Sequence, residues 1–209
     1  MSQNSISEKQ TQKELPMIAN PSSRYIVSED YLKEEEDSPV KHEYRQGQIY
    51  AMAGASNSHV LITVNLATML RNHVRGSGCR VYTSDTKAHI ESINAYYYPD
   101  VMVSCDQRDR SFNNFLRYPC LIVEVLSTAT EAFDRGDKFT DYRCLESLQE
   151  YVLITQTRMN AECFRRNAEG QWVLYPYGAA ERLHLTSLSF QYAVTEIYED
   201  VDLSSVAQP

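Results

Sequence analysis

Apolar residues recur along the chain in two periods. Over residues 56–75, Val60, Leu61, Val64, Leu66, Ala67, Met69 and Leu70 fall at helical spacing, and Gly76 and Gly78 end the run. Strand-like pieces follow at 79–82, 87–90, 99–104 and 121–126. The last, within CLIVEVLS, is nearly continuous apolar sequence with one acid inside it, which suits a central strand buried on both faces. A second helix is predicted over 132–145. The strand expected at 150–154 follows so closely that helix and strand form a crossover back into one sheet.

The ends of the chain pattern differently. Residues 1–22 are polar and aperiodic, with Pro16 and Pro21 as breakers, which predicts a disordered tail ahead of a single domain over 23–205. Ser28 is the expected cap of a short helix carrying Tyr31 and Leu32, and the acidic run 34–37 reads as a solvated face. In HEYRQGQIYAMAG, Gly47 separates two strand-like pieces and predicts a β-hairpin. AECFRRNAEGQWVLYPYG reads as another, turning at Glu169 and Gly170. The order is that of an α/β or α+β domain with a mixed sheet. Neither GxGxxG nor GxxxxGK[ST] occurs, which disfavours a doubly wound nucleotide fold.

Composition narrows the picture. The chain has 209 residues, the size of one ordinary domain. Its 20 Lys and Arg against 28 Asp and Glu leave a net charge of −8. That argues against a protein that coats nucleic acid by bulk electrostatics, while a local basic groove stays open. Five widely spaced cysteines with no CxxC read as reduced thiols, with no spacing for zinc or a disulfide framework. No apolar run approaches the ~18 residues of a membrane span, and the N-terminus lacks a signal-peptide apolar region. The expectation is a cytoplasmic protein with no membrane partner.

Two acids sit where acids are costly. Asp100 follows Pro99 at the start of the strand VMV, and Glu124 lies between Val123 and Val125. An ionised carboxylate there costs several kcal/mol unless a cation or hydrogen bonds offset it. Their separation of 24 residues fits two neighbouring strands joined by the polar loop 105–118. Carboxylates on adjacent strands offer hard oxygen ligands to one cation, as Mg²⁺ favours; paired individually with Lys or Arg they would be structural. Further on, Asp134, Lys138 and Tyr142 stand at i, i+4 and i+8 and share a helical face. Lys138 either reaches back to Glu124 or makes an ordinary surface pair with Asp134.

The succession EYRQGQIYAMAGAS-x2-H, YYPDVMV, LIVEVLS-x-AT, D-x3-K-x3-Y and EYVLI resembles the Uma-two family, endonucleases within the PD-(D/E)XK restriction-endonuclease-like superfamily. The likeness spans about Tyr25 to Tyr175. It implies an α/β fold, a restriction-endonuclease-like mixed central sheet flanked by helices. It also implies a Mg²⁺-dependent phosphodiesterase site, with Mn²⁺ as a substitute ion. Asp100 and Glu124 would be the metal-binding catalytic carboxylates, joined by the Val125 carbonyl. The lysine expected two positions after Glu124 is Leu126, so the resemblance transfers that role to Lys138.

Glu43 matches a further family acid, open to metal ligation or to tying down the hairpin. His59 matches a helix-start histidine, either structural or facing the site, and Tyr142 is expected to pack and hydrogen-bond Lys138. DNA is the implied partner and a homodimer the superfamily's arrangement for cutting two strands. Arg71, His73, Arg75 and Arg80 cluster near the first helix end. Arg108, Arg110 and Arg117 line the loop 105–118, expected beside the metal as phosphate contacts or else merely solubilising. Of Tyr96, Tyr97 and Tyr98, alternation buries some and leaves others exposed. The rival expectation is a non-catalytic module of nuclease fold that binds nucleic acid or a protein partner.

Overall fold

The computed structural model describes residues 25–203. The tail expected over 1–22 and the outermost residues of the domain expected over 23–205 lie outside the described residues. Helix α1 (Ser28–Glu36) leads into the hairpin β1 (His42–Arg45) and β2 (Gln48–Ala51). Gln46 and Gly47 turn the hairpin with φ of 50° and 88°, the left-handed pair that a two-residue turn requires. A Cβ on Gly47 would overlap the Tyr25 ring. The cap of α1 departs from expectation: Val27 takes that place with no side-chain hydrogen bond, and Ser28 is already helical.

Helix α2 (Asn57–His73) starts where Ser56 Oγ accepts the His59 N–H. Its core-facing residues are Ile62, Leu66 and Leu70, one turn apart, whereas Val60 and Val64 are exposed. The strands β3 (Arg80–Thr83), β4 (Lys87–Ile90), β5 (Ala95–Tyr97), β6 (Val101–Ser104), β7 (Phe115–Leu116) and β8 (Leu121–Leu126) follow. A helical segment then runs through α3 (Glu131–Phe133), a π turn (Asp134–Lys138) and α4 (Phe139–Tyr142). It returns to β9 (Glu150–Thr155), which pairs parallel to β8 as the expected crossover. The hairpin β10 (Asn160–Arg166) and β11 (Trp172–Gly178), the pair β12 (Arg182–Leu185) and β13 (Phe190–Ala193), and α5 (Val194–Ile197) complete the fold.

The central sheet is six-stranded and mixed, in the order β11-β10-β9-β8-β6-β3, with only β8 and β9 parallel. A second, five-stranded sheet (β2-β1-β5-β4-β7) stands beside it, an addition to the single sheet expected. The chain passes from one to the other between β5 and β6, at Tyr98-Pro99-Asp100. Proline has no N–H to continue a ladder, so the strand breaks there. Alternation along β8 sends Val123 and Val125 to the core shared with α2 and α5, and Ile122 and Leu126 to the core shared with Tyr97, Tyr142 and Tyr151. Glu124 falls on the second face.

Two expectations are corrected. Tyr96 and Tyr97 are buried because β5 is covered on both faces, and Tyr98, the next residue, is buried with its hydroxyl on Glu35. Cys79 and Cys105 are joined by a disulfide. The β3–β6 register pairs Arg80 with Ser104, and one step further sets these cysteines opposite each other, with Cα atoms 3.9 Å apart. Cys120, Cys144 and Cys163 are free thiols. Among the described residues no helix is long and apolar enough to cross a membrane.

Candidate active site

Antiparallel pairing sets Val101 against Val123, and the same register carried one step further sets Asp100 against Glu124. Cross-strand neighbours of this kind have Cβ atoms about 5 Å apart, so the chain break at Pro99 and the apolar strand β8 bring two acids together. Both line a cavity of about 80 Å³ with Glu43, His59, Asp134 and Lys138. Lys138 arrives from the π turn, a wider helical turn often found at functional positions. Its ammonium lies 2.9 Å from Glu43 Oε1, 3.0 Å from Glu124 Oε1 and 3.5 Å from Asp134 Oδ1. The surface-pair alternative for Lys138 therefore gives way to a buried one.

The remaining contacts orient this centre. His59 Nε2 is 2.8 Å from Asp100 Oδ1, and the Val125 N–H donates to Asp100 Oδ2 at 2.7 Å. Tyr142 Oη donates to Glu124 Oε1 at 2.9 Å, so its partner is the acid and not Lys138 as expected. The Tyr98 N–H donates to Glu43 Oε1 at 3.0 Å. Glu43 thus ties its hairpin to the strand entering the site, and it also faces the cavity.

Burial is the main influence on the ionisation of these groups. It pushes Glu124 well above the usual glutamate range; Lys138 opposes this, while Asp134, Asp100 and Glu43 reinforce it. Burial likewise raises Glu43 against the pull of Lys138. For Lys138 burial acts downward, but Glu124, Glu43 and Asp134 outweigh it and hold the ammonium charged. Burial also lowers His59, and Asp100 more than reverses it.

Four acidic side chains therefore share one small cavity with a single lysine and a histidine, a crowding of acids that a divalent cation would relieve. Among the described residues Glu43 Oε2 is buried with no hydrogen-bond partner, an oxygen donor of the hard type that Mg²⁺ takes. On these grounds the residues fit the ion. Asp100 and Glu124 would hold it, with Glu43 within the same cavity. Among the described residues no ready-made group of three or more His, Cys, Asp or Glu ligands occurs. Backbone oxygen and water would complete the shell, which suits an ion that keeps several waters.

The loop arginines are not brought here. The chain leaves Asp100 along β6 and returns along β8, so the loop 105–118 joins the ends of those strands remote from the two acids. Arg108 pairs with Asp106 and lies over the Tyr118 ring. Arg117 bonds His89 and Glu91, and Arg110 donates to the Gly78 carbonyl. One supporting residue was hidden in the acidic run. Glu35, expected in solvent, has a side chain only 4% exposed and accepts from the His42 N–H and Tyr98 Oη. Its position four residues after Tyr31 puts it on that residue's inward face, a signal present in the sequence.

A mixed sheet with opposed acids on adjacent strands and a lysine from the crossover helix defines a protein of restriction-endonuclease-like fold. A crystal structure titled a putative nuclease belonging to DUF820, from Anabaena variabilis, shares this fold. It has a TM-score of 0.66 at 16% identity, over 83% of this chain and 98% of that one. The chain belongs to the Uma2 family, described as "Putative restriction endonuclease", whose model matches residues 28–195. Two proteins of Synechocystis sp. are similar along most of their length. The uncharacterized protein slr1290 is 44% identical over 87% of this chain and 97% of its own. The uncharacterized protein sll1609 is 34% identical over 76% of this chain and 90% of its own.

Proposed function

We propose that this protein is a Mg²⁺-dependent endonuclease that hydrolyses phosphodiester bonds in DNA. The observation that carries the reading is the meeting of Asp100, Glu124 and Lys138, from two strands and a helix, in one small charged cavity. When bound, the ion supplies Lewis-acid activation of a phosphate oxygen and a more acidic water. The protein's part is orientation and charge. His59 and the Val125 N–H fix both oxygens of Asp100, and Tyr142 fixes Glu124. Lys138 sets a positive charge beside the place where negative charge develops on the phosphate. Nicking of supercoiled plasmid by the full chain in Mg²⁺ or Mn²⁺ tests this. Loss of nicking in Asp100→Ala and Glu124→Ala, with folding retained, is the expected result; activity surviving both substitutions overturns it.

A second reading, a non-catalytic nuclease-fold module, is favoured by one feature. Leu126 holds the position where the superfamily pattern has its lysine. Such a module binds nucleic acid or protein with no nicking and no divalent-ion dependence.

A further inference from the structure

Away from the cavity, the outer face of α2 and the edge strand β3 form a continuous pair of grooves. The first, about 470 Å³, begins at Val60, next to His59, and runs past Val64 to Arg71 and Val81. The second, about 550 Å³, shares Arg71 and Val81 with the first and adds Arg75, Arg80 and Arg110. The four arginines come from α2 and the turn after it, from β3, and from the loop 105–118. None of them forms an ion pair among the described residues, and the one hydrogen bond shown is from Arg110 to the Gly78 carbonyl. Among the described residues not one Asp or Glu lines either groove, in a chain where acids outnumber Lys and Arg by 28 to 20.

Like charges gathered from three elements repel unless something anionic answers them. The α2 C-terminal dipole accounts for Arg71 and Arg75, but not for Arg80 and Arg110. A second copy of the chain is a poor occupant, because a two-fold contact sets the same patch against itself, arginine on arginine. We infer that this arginine-lined groove binds the phosphate backbone of duplex DNA whose scissile phosphate lies in the carboxylate cavity. The inference rests on the nuclease reading and names a substrate contact for that site. Twelve residues of helix separate His59 from Arg71, about 18 Å at 1.5 Å per residue. At about 3.4 Å per base pair, the arginines meet phosphates roughly five base pairs from the cut.

The test is fluorescence anisotropy of labelled 20-base-pair DNA with the full chain in EDTA, over a range of salt. It compares wild type, a quadruple Arg→Ala variant (Arg71, Arg75, Arg80 and Arg110), and the corresponding quadruple Arg→Lys variant. Thermal unfolding checks that each folds. The alanine variant is expected to bind about tenfold more weakly or worse, with a salt slope shallower by about 3 to 4. The lysine variant keeps most of the affinity. Wild-type binding that the alanine substitutions leave unchanged overturns the groove and leaves the nuclease reading standing. A dimer-to-monomer change in the alanine variant with unaltered DNA affinity also overturns it, in favour of a second copy. Failure of wild type both to bind and to nick DNA removes the two proposals together.

Discussion

Glu124 and Glu150 sit on adjacent parallel strands of one sheet, the first inside an apolar strand and the second opening one, and both are almost wholly removed from solvent. Glu150 is answered in full. Arg165 Nε donates at 2.7 Å, the Thr186 and Ser187 N–H groups at 3.0 Å each, and both their hydroxyls point to the same carboxylate. Burial pushes Glu150 up, yet these donors hold it below the usual glutamate range. Glu124 receives one tyrosine hydroxyl and a lysine it shares with two other acids, and its ionisation is pushed the opposite way. A buried acid in a strand is therefore no sign of function in itself. What distinguishes the two is whether donors match the charge, and the unmatched acid lines a cavity.

This contrast breaks most sharply on substitution of the matched acid. Glu150→Ala leaves Arg165 and four donors stranded and should cost about 3–5 kcal/mol in urea unfolding. Glu124→Gln, in the same assay without metal, should stay within about 1 kcal/mol of wild type, because one of several crowded charges is removed. Lys138→Met comes next, with a loss of about 3 kcal/mol at pH 7 from uncompensated buried carboxylates. That loss should shrink as pH falls toward 4.5. The carboxylates' folded pKa values lie above the unfolded ones, so the folded state takes up protons first.

A third buried group gives a graded effect. His89 stacks on Tyr96 with Arg117 Nε donating to its Nδ1, and burial followed by the Arg117 charge lowers it from 6.5 to about 4. The unfolded chain then binds the proton that the fold refuses. Stability should fall by about 1.4 kcal/mol per pH unit from this group as pH drops from 6.5 to 4. His89→Phe should flatten that slope in thermal unfolding. The exposed pair Lys41–Asp85, with Asp85 81% exposed, marks the low end: Asp85→Ala should change stability by less than about 1 kcal/mol.

Periodicity made the frame of this fold legible: α2, β8, the crossover to β9 and both hairpins follow from apolar spacing and turn residues. The cluster of the candidate site was legible because Asp100 and Glu124 interrupt apolar strands and Lys138 and Tyr142 share a helical face. What escaped depends on contacts distant in sequence. The donors that satisfy Glu150 lie at 165, 186 and 187, far from it along the chain. The two-residue strand β7 and the three-residue β5 are too short for alternation to show. The disulfide depends on the β3–β6 register, not on cysteine spacing. Strand direction places the loop arginines away from the acids, a consequence that follows only once β6 and β8 are known to be antiparallel neighbours.

The most direct test of the unmatched-charge account is a calorimetric titration of Mn²⁺ into the metal-free full chain, wild type beside Asp100→Asn. The account predicts saturable binding by wild type, marked weakening in Asp100→Asn, and the same unfolding midpoint for both in the absence of metal. Absence of binding by wild type, or equal binding by the variant, would contradict it.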